Sequence, residues 1–468
     1  MKLEGLIKIF LGVLLVPWLF SCSTLPEREF SAAHLDGGCK GRTHRVLALA
    51  VSFPDVRPEK SIQRLKKRFI DQMARYFAEE SYGKVCLSGE IKGWYELPGS
   101  LDEYKISAYT RLVDRRKVWQ LVLDAFNAAE HDVQFDDYDH IAIIVGVRTR
   151  AGVGYGMIAY TAHPGYLSVE RRGPARQFYF NPVEIKTKHG QIFSGGITVA
   201  AENVHPGFIA VDYAVVLGGI ENGKRVVPML WSTAAHIPNR TREEIEAYMG
   251  PWDILSCHYA GRNKPPPGMS SFSRLRLGWI DNDQVVQVQL GASRGVVLSP
   301  LASGKGVLAI KIPGPEGSYF LLENRQKMAG DPVLPTTGLL VLQVDESIDD
   351  GEGIVKVINA DPDVAYFGAA TFGLAPNQKT SVRLTGDIAV ELLWQEDRNL
   401  SVMVTNLSLA EQVQELAQRI RKTEQRLKDS RKTEKRLLAR ERLKAAKELL
   451  FQANMADADR ILTMLERN

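Results

Sequence analysis

The run Val46-Leu47-Ala48-Leu49-Ala50-Val51 contains no polar side chain, and Ile141-Ala142-Ile143-Ile144-Val145 repeats that pattern further along the chain. A half-exposed strand alternates apolar and polar residues, because successive side chains point to opposite faces. A run with no polar alternate therefore reads as a buried strand. Two amphipathic helices are interleaved with these strands. Ser61 to Ala78 places Ile62, Leu65, Phe69, Met73 and Phe77 at helical spacing, and Arg115 to Ala129 does the same with Val118, Leu121, Val122 and Phe126. Between them, Lys84 to Leu97 alternates as a strand pair does. Residues 44–284 are thus expected to form one domain of α+β class.

Within that span, Phe208 to Leu217 is almost wholly apolar and reads as strand, Val226 to His236 as a short buried helix, and Thr241 to Met249 as another, with Thr241 and Glu244 placed as a capping box. Residues 285–407 change character. Short β runs (Val307 to Ile312, Tyr319 to Glu323, Leu339 to Val344, Ile388 to Trp394) alternate with Gly, Pro, Asn and Asp, which predicts an all-β, sandwich-like domain. Residues 408–468 read as helix. Val413, Leu416, Ile420, Thr423, Leu427, Ser430, Glu434 and Leu437 trace a heptad seam that is polar at several positions, so any coiled coil there is weak or short. Residues 411–450 hold thirteen Lys/Arg against seven Asp/Glu, a net +6. This is a solvated basic face that can also meet a protein partner or anionic lipid. Asn454 and Met455 mark the turn into a last helix ending near Glu466.

The first 22 residues read as a lipoprotein signal peptide. Lys2 and Lys8 flank the start of an apolar run, Ile9 to Phe20, too short to span a bilayer, and the run ends in Leu19-Phe20-Ser21-Cys22. That ending resembles a bacterial lipobox, which implies lipidation at Cys22 and attachment to a membrane of the cell envelope. Ser23 after it implies possible delivery to the outer membrane. Residues 23–43 form a polar tether. An exported chain permits disulfides; a Cys39–Cys86 bridge is possible, and Cys257 leaves the count odd. The formal net charge of +4 gives no reason to expect nucleic-acid binding.

Several segments, in collinear order, resemble the immune inhibitor A family of secreted zinc metalloproteases. They are Ser81-Tyr82-Gly83-Lys84, Gly93-Trp94-Tyr95-Glu96-Leu97-Pro98, Phe135 to Asp139, Gly250-Pro251-Trp252-Asp253-Ile254-Leu255-Ser256, Ser273 to Ile280, Leu322 to Lys327, Gly338 to Val341 and Val344-Asp345-Glu346. The resemblance spans roughly residues 45 to 400 and implies a zincin-like domain. It also implies that the Trp252-Asp253 segment forms the turn beneath a metal, with Leu255 where the family has Met.

The departures fall on the chemistry. A zincin helix needs His-Glu-x-x-His, because residues at i and i+4 share a face and both reach one metal, while the Glu acts as general base. Of that motif only His236 is recognisable. In one register Ser232 and Thr233 replace the first His and the Glu. In the other, Ile237 and Arg240 replace the Glu and the second His, and Pro238 breaks the helix. A nonstandard zinc set of His236, Asp253, Cys257 and His258 is conceivable, but adjacent Cys257 and His258 point in different directions in regular structure. Ser232 with His236 lacks a Gly-x-Ser-x-Gly elbow, and Gly152-Val153-Gly154-Tyr155-Gly156 lacks the Lys-Ser/Thr of a phosphate loop. Trp94, Trp252 and Trp279 read as core, and the Glu323-Asn324-Arg325-Gln326-Lys327 run as a polar network at a domain junction. The expectation is a lipid-anchored pseudopeptidase with a binding or assembly role and no cofactor. The alternatives are an active metallopeptidase with zinc on nonstandard ligands, and a structural envelope protein acting through its helical tail.

Overall fold

The computed structural model describes residues 39–104, 114–148, 159–161, 169–172, 177–181, 184–230, 249–256, 265–328, 331–429 and 434–467. The first sheet contains β1 (Arg42–Ser52), β2 (Val85–Glu96), β3 (His140–Val145) and β4 (Ala159–Thr161). Two hairpins follow, β5 (Val169–Arg172) with β6 (Gln177–Phe180), and β7 (Ile185–Lys186) with β8 (Ile192–Phe193), before β9 (Gly196–Ala201) completes the sheet. Strand order is β2-β1-β3-β9-β4, parallel except for β4, which runs antiparallel to β9.

Both apolar runs lie inside this sheet and are buried on both faces. Val46, Ala48, Ala50, Ala142 and Ile144 point into one core, and Leu47, Leu49, Val51, Ile141, Ile143 and Val145 into another. The second core is closed by α2 (Arg115–Ala129), which Asp114 caps through the Arg116 amide. The first is closed by α1, in which Ile62–Lys66, a π-helical turn Lys67–Asp71 and Gln72–Glu80 run on as one helix. A second helix on that face is α3 (Pro206–Gly218).

Three expectations need correction here. Lys84 to Leu97 is one long strand, β2, whose register against β1 shifts at Ala50/Val51. Phe208 to Leu217 is helix, not strand. An apolar run without period fits either state, and the decision lies in its ends. His205 caps α3, Pro206 occupies its first turn, and Gly218-Gly219 closes it, with Gly219 at φ 69°. Being apolar all round, α3 is a buried helix, packed between the first sheet and the layer beyond it. Val226 to Leu230 adopt no helix, and the rest of the two short helices expected over 226–249 falls almost wholly outside the described residues.

Beyond α3 lie a short hairpin, β10 (Ile220–Glu221) with β11 (Lys224–Arg225), then α4 (Ser271–Arg276) and two further sheets. One has order β12-β14-β15-β16-β17: Val285–Gln287, Ala309–Pro313, Tyr319–Arg325, Gly338–Val344 and Val355–Val357. The other has order β13-β20-β19-β18: Arg294–Leu298, Asn399–Asn406, Ile388–Glu396 and Ser381–Leu384. Ile310, Phe320, Leu322 and Val341 from the one and Val296, Val390, Val402 and Val404 from the other bury a common core. The alternate residues Leu321, Leu340, Leu342 and Val344 join the core that holds α1 and α3. The two halves therefore share a hydrophobic layer.

The tail forms α5 (Leu407–Asp429), α6 (Glu434–Phe451) and α7 (Met455–Glu466). Val413, Leu416 and Ile420 of the seam are buried against Leu393, Trp394 and Met403 on the outer face of the last sheet, together with Leu443, Ala446, Leu450 and Leu462. Arg419 ties the helices together through Asp459 at 2.5 Å and Glu466 at 2.9 Å. The first half of the seam is thus covered within the chain, whereas Leu437 is 64% exposed. Among the described residues no helix is long and apolar enough to cross a membrane.

Cys39 and Cys86 form a disulfide with Cα atoms 5.7 Å apart, joining the segment just before β1 to β2. Replacing both by Ser removes a cross-link across 47 residues of sequence, for which the chain-entropy model gives a loss of about 4 kcal/mol. The guanidinium midpoint of the double variant is expected to fall and to become insensitive to dithiothreitol. A midpoint that still drops on reduction would place the bridge elsewhere.

Candidate functional site

The turn Gly250 to Ser256 is built by its own polar groups. Asp253 is fully buried; its Oδ1 accepts from the Leu255 amide at 2.8 Å, and its Oδ2 from the Ser270 amide and the Ser273 hydroxyl, each at 2.7 Å. Ser256 donates to the carbonyls of Gly250 and Asp253, and Trp252 donates through Nε1 to the Phe367 carbonyl at 3.0 Å. Asp253 is therefore a capping residue that fastens the turn to the start of α4. With both oxygens engaged and no exposure, it is not placed as a metal ligand, which removes it from the nonstandard zinc set.

The turn packs against α3. Between Pro206 and Gly218 this helix contains no His, Cys or Glu, and Asp212 is its only residue with a metal-binding side chain. Two ligands at i and i+4 cannot be drawn from it. Ser232, Thr233, His236, Cys257, His258 and the lipidation candidate Cys22 lie outside the described residues.

At the carboxyl ends of the first sheet's parallel strands, where ligands of such sheets usually bind, the described residues form a polar lock. Glu202, just past β9, is fully buried and accepts from the Glu59 and Lys60 amides, each at 3.0 Å. Arg68 reaches across from α1 to the carbonyls of Glu202 and Val204. A cavity of about 230 Å³ lies at the opposite ends of the strands, lined by residues that include Arg42, His44, Asp139, His140 and Tyr213. Arg42 pairs with Asp139 at 3.2 Å, and His140 Nε2 meets the Thr198 hydroxyl at 2.9 Å with its ring edge-on to Tyr213. Burial, and then the charge of Arg42, hold His44 below its ordinary pKa against the opposing pull of Asp139. This wall offers a cation, a carboxylate and imidazoles, but no activated nucleophile.

The polar run around Arg325 is a buried network, and it extends well beyond the segment that announced it. Arg325 forks onto Asp331 at 2.6 and 2.8 Å, and its remaining nitrogen reaches Glu323 at 2.9 Å and the Trp252 carbonyl at 2.7 Å. Glu323 accepts from the Ser271 amide at 2.6 Å, and Asp331 from the Gly268 amide at 3.0 Å. Alongside, Arg274 pairs with Glu80 at 2.9 Å, and Glu80 also accepts from the Met269 amide at 2.6 Å. All five charged side chains are at most 1% exposed. Glu80 and Asp331 had no signal in the sequence; Glu80 joins the network because the 267–274 segment runs between α1 and β15, and Asp331 because the loop after β15 returns it to Arg325.

No protein-family model matches this chain, and no curated protein matches it significantly.

Truncating Arg325 leaves Glu323 and Asp331 charged and buried together. Arg325→Ala is expected to cost about 3–5 kcal/mol, read as a fall in the urea midpoint. Arg325→Lys is expected to recover little of it, since a single ammonium cannot reproduce the fork. Burial pushes the Glu80 carboxyl up to about 7, against the pull of Arg274. The native state then holds this proton to higher pH than the unfolded chain, so the Glu80 contribution to stability falls as pH rises from the ordinary carboxylate range towards 7. Glu80→Gln is expected to flatten the stability profile between pH 5 and 7; an unchanged slope would refute the assignment.

Proposed function

We propose that this chain is an exported, lipid-anchored bacterial protein with a zincin-like domain that has lost peptidase chemistry and serves in binding or assembly at the cell envelope. The observation that carries the reading is the composition of α3. The resemblance makes Trp252-Asp253 the turn beneath a metal, and α3, the helix among the described residues that packs on that turn, offers the single carboxylate of Asp212 and no His-Glu-x-x-His. Four of the segments that carry the resemblance have a structural role instead. Ser81-Tyr82, Gly250 to Ser256, Ser273 to Trp279 and Leu322 to Arg325 all contribute to, or flank, one buried network. They are scaffold residues, so their persistence alongside a missing metal motif is the pattern of a pseudopeptidase.

The Cys39–Cys86 disulfide supports an oxidising compartment, in agreement with the lipobox ending at Cys22. The tail supports partner binding less than its seam suggests. Val413, Leu416 and Ile420 are committed to the chain's own sheet, which leaves the basic outer face of α5 and α6 for an acidic partner.

Purified chain is expected to release no peptides from casein, with or without chelator. Cleavage abolished by chelation and restored by zinc would overturn the pseudopeptidase reading in favour of ligands around His236. Metal content by itself does not decide the matter, because zinc can bind elsewhere on the chain without supporting hydrolysis.

A further inference from the structure

The most developed cluster of metal-ligating side chains among the described residues lies away from the Trp252 turn, where α2 meets the β7–β8 hairpin. One donor atom each from Glu130, His131 and His189 lies within 4.8 Å of the others. We propose that these three residues form a binding site for a zinc-class divalent cation that clamps the 185–193 hairpin to the end of α2. The inference does not depend on the pseudopeptidase reading.

The site is built rather than fortuitous. Ile185 and Phe193 anchor the hairpin in the same core as Phe126 and Phe135, with the Phe126 and Phe193 ring centroids 5.5 Å apart. Above that anchor the tip is tied to α2 by hydrogen bonds. The Lys188 amide donates to Asn127 at 2.9 Å, and Gln191 Nε2 donates to the carbonyls of Glu130 and Val133 at 2.8 and 3.0 Å. The Phe135 amide returns a bond to Gln191 Oε1 at 3.2 Å. The backbone around all three donors is therefore held before any cation arrives, which is what a low reorganisation cost requires.

The donors suit the ion. The Glu130 side chain is 2% exposed, while the His189 ring beside it is 63% exposed, so a buried carboxylate faces an accessible imidazole. Glu130 Oε1 and His189 Nδ1 are hydrogen-bonded at 2.5 Å, and Glu130 Oε2 accepts from the His189 amide at 3.1 Å. The His131 and His189 ring centroids are 4.7 Å apart at a tilt of 52°. Zinc holds nitrogen and oxygen donors at about 2.0–2.2 Å, which sets tetrahedral neighbours roughly 3.4 Å apart. A cation can thus take the place of the bridging hydrogen after an outward shift of the exposed His189 ring by about 1 Å, the ring hydrogen passing through solvent to Nε2 so that Nδ1 coordinates. His131 then supplies the third donor and water the fourth. Two imidazoles and a carboxylate select zinc, cobalt or nickel over calcium and magnesium, which prefer all-oxygen shells.

The test uses the full-length chain titrated with zinc chloride, and with cobalt chloride for its absorption spectrum. One equivalent is expected to bind, to raise the Tm, and, for cobalt, to give the visible bands of a low-coordinate site. His131→Ala and the double variant His131→Ala/His189→Ala are expected to weaken binding at least tenfold and to lose the Tm increase, while their metal-free circular dichroism stays unchanged. Glu130→Gln checks the carboxylate donor, and His236→Ala is expected to retain binding. Undiminished affinity in the double variant, absence of saturable binding in the wild type, or loss of binding in His236→Ala alone would each overturn the site. None of those outcomes bears on casein hydrolysis, so this proposal and the pseudopeptidase reading fail separately.

Discussion

The structure depends on a group of charges that water never reaches. Arg325, Glu323 and Asp331, with Arg274 and Glu80 beside them, occupy the space between α1, the Trp252 turn, the segment leading into α4, and β15. Such a network is a poor source of stability by itself, because desolvating five charges offsets most of the attraction among them. Its Glu80 Oε1 and Arg274 Nη1 atoms even lack hydrogen-bond partners. What it supplies is geometry. Each carboxylate also accepts from a backbone amide of residues 267–271, so a segment without regular structure acquires a fixed path. Asp253 does the same for the turn and the first residues of α4.

Around that junction the layers follow in a continuous stack. α2 covers one face of the first sheet, and α1 and α3 cover the other. The opposite side of those helices rests on the β15–β16 face, whose reverse packs on the β19–β20 sheet. The tail helices close the far side. Strand periodicity makes this possible: β16 directs Leu340 and Leu342 to the α/β half, and Leu339 and Val341 to the sandwich. The boundary near residue 285 that composition suggests is thus a change of architecture within one body, not a break in the core.

Much of the scaffold was legible. The buried strands, the helix from Arg115 to Ala129, the β-rich second half and the turn at Asn454 follow from apolar period and capping residues that act over a few positions. Phe208 to Leu217 was misread because an apolar run on its own has no period to choose between strand and buried helix. His205-Pro206 and Gly218-Gly219 at its ends held the answer. The candidate site was less legible. Asp253 looked like a spare ligand beside a conspicuous Trp, and only the packing of residues 270–273 onto it revealed a cap.

By itself, the sequence determined the two buried strands, the helix from Arg115 to Ala129, the β-rich second half and the helical tail, where the polar junction begins at Arg325, and that no His-Glu-x-x-His occurs in the chain. Neighbours within one or two turns encode those features. Only the tertiary structure decided that α3 packs on the Trp252 turn, that Glu80 meets Arg274, that the tail seam is covered by Trp394 and Met403, and that Glu130 and His131 meet His189. Those partners lie far apart in sequence, and which charges and rings meet is set by the path of the backbone through the packed layers, which no local pattern records.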